Sequence, residues 1–511
     1  MLVESGGTVG DFVAPEPVSP AAIPHTAGRV SFGEVWQLVT APGTLRFEVP
    51  ASSAARRRLA LQLTTLPPGA NVILSCAALG SRGRSRRLAR EAGIELLREY
   101  VAIPSIDPPT CYVEDTPAAL RYFFTQLLTL PRGGGALSAS LEAIKRVAHS
   151  FFPADLVGSL APIRITLGRI PTSPTILATA QDHAGAKAML DLPGKETLVV
   201  ALSKDPNAKL TVLLIPRGSP RPTLAIKIPT TPAAAATIAA ERRVLSALHL
   251  RLPDTIRASV PRLEDFPEAP PDPLLVTTAL PGSPMTTRYH AWRHLATPAA
   301  VRADFQAVEA WLASFQGATA GPREPVDMDG GAAEVLRRRF ADDPGLSKAL
   351  AALGVIYARL RTTSTPRTAV HGDFWFGNLL LVGDQISGVI DWEAATACGE
   401  PVRDLVRFAL TYSLYLDRHS RAGHGVAGHR GLRAGEWGSG VKWALDGTGW
   451  FPDLTREFVR SGLARLGADP DRWREAMLAG VAEVAATADH LEFARQHWRL
   501  FERLTEPAAT P

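Results

Sequence analysis

The sequence predicts an α+β protein in which an N-terminal α/β unit precedes a small antiparallel sheet and a long, mostly helical lobe. Three observations carry that reading. Before residue 171 strand-like apolar runs flank an arginine-rich helix; between Thr197 and Pro229 three short apolar runs follow one another through turn-rich links; beyond Met285 the hydrophobic pattern is mostly helical, broken by one hairpin.

Length and composition bound the problem first. At 511 residues the chain exceeds one ordinary domain, and length alone points to about three. Its 46% hydrophobic and 21% charged residues describe a globular protein, and a net charge of only +5, spread along the chain, gives no footprint for nucleic acid. Three cysteines, Cys76, Cys111 and Cys398, have no metal-ligand spacing and are too few for a disulfide framework. The first residues lack the basic start and apolar core of a signal peptide, and no apolar run approaches the roughly 20 residues of a membrane helix. A cytoplasmic protein without membrane insertion is expected.

In chain order, residues 1–30 are rich in Pro, Gly and Ala without periodicity and read as a disordered segment. Residues 31–171 read as an α/β domain: "NVILSC" is a buried strand, "RSRRLAREAG" a helix closed by Gly93, and "LREYVAIPS" a second strand. Gly80 and Gly83 after the first strand have the look of a degenerate Rossmann-like turn, without the full glycine pattern or an acidic ribose contact. Residues 172–285 hold the three-stranded meander, a helix through "ERRVLSALHLRL", and the strand of "PLLVTTALPGSPM", which ends in a Pro-Gly turn. Residues 286–511 form the helical lobe.

Inside that lobe, "HGDFWFGNLLLVGDQISGVIDWE" runs from His371 to Glu393. Its apolar runs, Leu379 to Val382 and Ile386 to Ile390, are joined by Gly383-Asp384-Gln385, which is hairpin chemistry. A hairpin brings the residues before its first strand and after its second to the same end, so Asp373, Asn378 and Asp391 converge. Two carboxylates and an amide oxygen gathered there need a cation, and hard oxygen ligands suit Mg2+, which takes the rest of its shell from water and nucleotide phosphates. That combination points to phosphoryl transfer.

From about residue 197 to the C-terminus the sequence resembles the aminoglycoside phosphotransferase and choline kinase-like family. "VHGDFWFGNLLL" matches that family's H-G-D-x4-N catalytic loop and "GVIDWE" its metal-binding motif. The resemblance implies a two-lobed protein-kinase-like fold with an additional N-terminal α/β domain. It implies ATP and Mg2+ as cofactors and a small molecule bearing a hydroxyl, such as a sugar, amino alcohol or aminoglycoside-like compound, as acceptor. By the same resemblance Asp373 orients the acceptor hydroxyl, Asn378 and Asp391 hold metal, Lys227 contacts phosphates and pairs with Glu241, and the backbone near Thr278 and Leu280 reads the adenine. His371 supports the loop, and Asp404 braces it through backbone N–H groups. The phosphate-facing loop should favour glycine, yet "LSKDPNAKLTV" has none, so Ser203 and Asn207 stand in for it. The alternative is a catalytically inactive kinase-like protein that binds nucleotide or acts as a scaffold. Trp437, Trp443, Trp450 and Trp473 are candidates for stacking on a sugar, whereas His419, His424 and His429 read as residues of a mobile Gly-rich loop rather than a metal site.

Overall fold

A computed structural model describes residues 43–77, 81–103, 111–127, 163–171, 194–200, 209–265 and 274–506. Ser203, Asn207, Gly80 and the segment 1–30 lie outside the described residues.

Period-two alternation of apolar residues builds one large sheet. Its strands are β1 (Leu45–Glu48), β2 (Asn71–Ala77), β3 (Glu95–Ile103), β4 (Cys111–Glu114), β5 (Ile163–Arg169), β6 (Lys195–Val200), β7 (Lys209–Pro216), β8 (Leu224–Pro229) and β9 (Leu275–Thr278). They lie in the order β1-β2-β5-β3-β4-β6-β7-β8-β9. β1 and β2 run parallel around α1 (Ser53–Leu63), and every other neighbouring pair is antiparallel. Among the described residues the parallel part of the sheet is a single βαβ unit, less than a doubly wound dinucleotide fold contains. The expected helix is α2 (Ser81–Glu91), and Gly93 follows it at φ +66°.

The meander β6–β8 is antiparallel as the turn-rich links require. What the sequence did not convey is that β6 is paired on its other edge with β4, through Cys111–Val113 against Leu198–Val200. Polar contacts reinforce this seam: Tyr100 Oη lies 2.5 Å from Thr197 Oγ1, Thr197 N donates to Glu114 Oε2 at 2.7 Å, and Arg98 donates to Lys195 O at 2.8 Å. One apolar cluster runs across the seam from Ile73, Tyr100 and Ile165 to Val212, Ile226 and Val276. A cut at residue 171 therefore bares a strand edge and half of a shared core.

α3 (Pro117–Tyr122), with Thr116 as its N-cap, packs Ala119 and Leu120 on Val101, Val113 and Leu198. The π-helical turn Phe123–Leu127 carries the chain on to the region after β9, where Thr287 Oγ1 donates to Gln126 O at 3.0 Å and Ser283 bonds Gln126. α4 (Pro232–Arg251), capped by Thr231, crosses the sheet beside the cleft. The helical lobe is built on α5 (Pro298–Thr319), α6 (Val402–Leu414) and the helices Trp450–Arg465, Trp473–Thr487 and Leu491–Thr505, which share the largest core among the described residues. Among the described residues no helix is long and apolar enough to cross a membrane. The segment expected to be a loose Gly-rich loop folds instead into a small hairpin, Gly425–Val426 against His429–Arg433. His429 is buried between Trp450 and Phe451, and His419 lies 2.9 Å from His290.

Candidate active site

The predicted hairpin forms: β10 (Leu379–Val382) and β11 (Gln385–Val389) pair antiparallel, with Leu379 opposite Val389. Ile390 N then donates to Asn378 O at 2.9 Å, which fixes Asn378 and Asp391 at the same end of the ladder. Asp391 itself sits at φ +68°, a left-handed conformation that a non-glycine residue adopts only where its surroundings hold it there.

Lys227, from β8, is the centre of the upper half of the site. Its Nζ lies 2.7 Å from both oxygens of Glu241 on α4 and 2.7 Å from Asp391 Oδ1. Glu241 is almost fully buried and also accepts from Trp392 N at 3.1 Å, so one carboxylate ties β8, α4 and the turn after the hairpin together. Burial alone would raise the Asp391 carboxyl, but the ammonium groups of Lys227 and Lys209 outweigh it and hold Asp391 well below the usual range. Burial likewise opposes the charge on Lys227, yet Asp391 and Glu241 push its pKa above that of a free lysine. Both groups are thus charged at neutral pH.

Asp373 forms the lower half. Asn378 Nδ2 donates to Asp373 Oδ2 at 3.1 Å and to its backbone oxygen at 2.9 Å, which leaves the Asn378 amide oxygen directed away from Asp373. The loop beneath is held by Asp404 on α6, whose two oxygens accept from His371 N at 2.7 Å and Gly372 N at 2.9 Å. Burial raises the Asp404 carboxyl against those contacts. Gly372 has φ +81°, and a Cβ there would stand 2.3 Å from Ala394 O, so the H-G-D tripeptide admits only glycine in the middle. His371 is fully buried against Trp392. Its Nδ1 accepts from Asp373 N at 3.3 Å, which makes Nε2, 2.9 Å from Ile390 O, the protonated nitrogen. It links the loop to the hairpin and does not point at Asp373's carboxylate.

The expected hinge residues are arranged less simply. Thr278 N donates to Arg262 O and Ala279 N to Thr223 O, both at 2.8 Å, so these two N–H groups are committed within the protein. Leu280 follows them and packs beside Gly388. Trp437, Trp443, Trp450 and Trp473 are engaged with His497, Phe451, His429 and Arg456 respectively, and pack against the helical core.

Two cations escaped the sequence reading. Arg407 Nη2 lies 2.6 Å from Asp373 Oδ1, and Lys209 Nζ lies 3.0 Å from Asp391 Oδ1 while also bonding Glu393. The signal for Arg407 was its place three residues after Asp404, hence on the same helix face. For Lys209 it was period two: Thr211 is opposite Lys227, so Lys209 shares that face.

The donor set suits the implied magnesium: Asp391, Glu393 and the Asn378 amide oxygen are hard oxygen ligands, too few for a self-contained cage and appropriate for an ion that shares its shell with phosphates. Among the described residues no group of three or more His, Cys, Asp or Glu is placed to hold a metal ion by itself.

A strand lysine paired with a helix carboxylate, a braced H-G-D loop and a post-hairpin aspartate are the parts expected of a kinase-like fold. Residues 210–437 match the sequence model of the phosphotransferase enzyme family, and the resemblance drawn from the two motifs stands. No curated protein matches the chain. Among solved structures it is similar to the apoenzyme of macrolide 2'-phosphotransferase MphH from Brachybacterium faecium, at 17% identity over 61% of this chain and 93% of that one, with a TM-score of 0.33. It is also similar to ADP-bound aminoglycoside phosphotransferase APH(2'')-Ib (13% identity, 60% and 91% of the two chains, TM-score 0.35) and to aminoglycoside phosphotransferase APH(4)-Ia (14%, 61% and 91%, TM-score 0.34). Overlaps of this size add nothing to what the family match and the motifs provide.

Proposed function

We propose that the protein transfers the γ-phosphoryl group of ATP to a hydroxyl of a small molecule, with Asp373 as the group that orients and accepts the hydroxyl proton. The observation that supports this best is the division of charge in the cleft. Lys227, locked on Glu241, offers a fixed ammonium to phosphates, whereas Asp391 stays ionised beside it and, with Glu393 and Asn378, offers oxygens to a metal. When bound, Mg2+ neutralises charge on the phosphates and fixes their orientation. The chain supplies the rest by positioning: Asp404 and Gly372 set the loop, Asn378 holds one Asp373 oxygen, and catalysis follows from alignment and preorganised charge. A backbone donor for the nucleotide base falls to Leu280 rather than Thr278, because the Thr278 N–H is already taken.

One observation favours the rival reading of a nucleotide-binding protein without turnover: Arg407 holds Asp373 Oδ1 at 2.6 Å, on an oxygen the acceptor would use. An ADP-release assay with Mg-ATP over a panel of sugars, amino alcohols and aminoglycosides decides between the two. Acceptor-dependent ADP above the hydrolysis background supports the transferase; tight Mg-ATP binding with no acceptor-dependent ADP favours the rival.

A further inference from the structure

The two lysines on Asp391 are not equivalent, and their difference has a functional meaning that rests on the phosphotransferase reading. Lys227 is locked: both oxygens of the nearly buried Glu241 face its ammonium at 2.7 Å. Lys209 is held instead by Asp391 and Glu393, about a quarter exposed each. Those are the carboxylates suited to the metal. The ammonium of Lys209 and a divalent ion therefore compete for the same oxygens. Lys227 repels Lys209 as well, since both sit on Asp391 Oδ1, so the arrival of a second cation displaces the lysine that lacks the buried anchor.

The residue type fits exchange rather than permanent pairing. Only eight of the chain's 55 basic residues are lysine, yet both cations at these carboxylates are. A compact ammonium on a flexible stem leaves a carboxylate more readily than a planar guanidinium locked in a fork. Lys209 also opens β7 on the cleft face shared with Thr211 and Lys227, so its displaced ammonium remains beside the phosphate-binding lysine.

We propose that Lys209 is a tethered counter-ion of the metal ligands: it holds Asp391 and Glu393 in the metal-free protein, yields them to the magnesium that enters with ATP, and turns its ammonium to the phosphates. Lys209 is then a positioning residue in the first state and a phosphate contact in the second.

The test uses the full chain as wild type, Lys209→Met and Lys209→Gln, the second variant keeping a polar end should the first fold poorly. Free Mn2+ is followed by electron paramagnetic resonance during titration of nucleotide-free protein, and AMP-PNP binding at saturating Mg2+ is measured by calorimetry. Both variants are expected to bind Mn2+ about tenfold more tightly and AMP-PNP about tenfold more weakly, the size of one charge-assisted contact. A merely structural lysine would weaken both. Unchanged or weakened Mn2+ binding in both variants, with wild type binding normally, overturns the counter-ion role alone. Wild type binding neither Mn2+ nor Mg-AMP-PNP removes the phosphotransferase reading and this inference with it.

Discussion

The large sheet carries two groups of ion pairs, one buried and one half-buried, and they are built differently. In the N-terminal segment the cations are arginines: Arg164, fully buried, meets Asp115 at 2.5 Å, and Arg98 meets Glu114 at 2.7 Å while also donating to Lys195 O. Around Asp391 in the cleft the cations are lysines, and two of them share three carboxylates, Glu241, Asp391 and Glu393. An arginine fork fixed on a carboxylate and a backbone oxygen is a closed joint that pins strands in register. Lysines outnumbered by carboxylates leave negative charge for a metal to meet. Burial and pairing are common to both groups; the unbalanced charge is what sets the cleft apart.

That contrast is breakable by mutation. The largest effect belongs to the closed joint: Asp115→Ala removes the 2.5 Å partner of the fully buried Arg164, leaving Glu99 at 3.9 Å, and should cost about 3 kcal/mol of stability, read as a lowered urea midpoint, while any protein that remains folded keeps its ATP affinity. A loss of nucleotide binding at full stability would show that the N-terminal segment feeds the cleft directly. Next comes Asp373→Asn, which should reduce turnover at least about 10²-fold with the melting temperature and Mg-ATP binding nearly intact. Unchanged turnover would take Asp373 out of the chemistry.

The smallest effect lies outside both groups. Burial holds His429 down to about 4, and burial with the nearby His419 and Arg418 holds His290 down to about 3. Their folded values are depressed below the ordinary histidine value near 6.5, so the unfolded chain takes up protons first. Stability is then complete above about pH 6.5 and falls as pH drops toward 4, by up to about 1.4 kcal/mol per pH unit for each histidine. Thermal melts between pH 7 and 5 should show a shallower slope for His429→Phe than for wild type. Equal slopes would mean that His429 does not titrate on unfolding.

Most of the cleft was legible in the sequence because it is encoded locally. The hairpin needs only turn residues and apolar runs, and it alone brings Asn378 and Asp391 together; Gly372 and Asp404 announce themselves by spacing within one motif. Lys227 and Glu241 were found because strand and helix follow one another. What was not legible depends on pairings between distant segments. No local pattern says that β4 joins β6, since an edge strand and a paired strand have the same alternation, and the seam became visible only with Tyr100 beside Thr197. Lys209 was hidden for the same reason: its carboxylates come from Asp391 and Glu393, far along the chain. That the Thr278 N–H is committed within the protein was not legible either, because the neighbour that uses it, Arg262, lies in an irregular stretch.

Binding of a metal-nucleotide complex on Asp391 is open to calorimetric titration of ATP into wild type and Asp391→Ala, each with and without Mg2+. Wild type should bind ATP much more tightly with Mg2+ than without, and Asp391→Ala should lose most of this difference while keeping a metal-independent remnant from Lys227. Equal Mg2+ dependence in the two proteins, or no ATP binding by wild type with Mg2+ present, would contradict it.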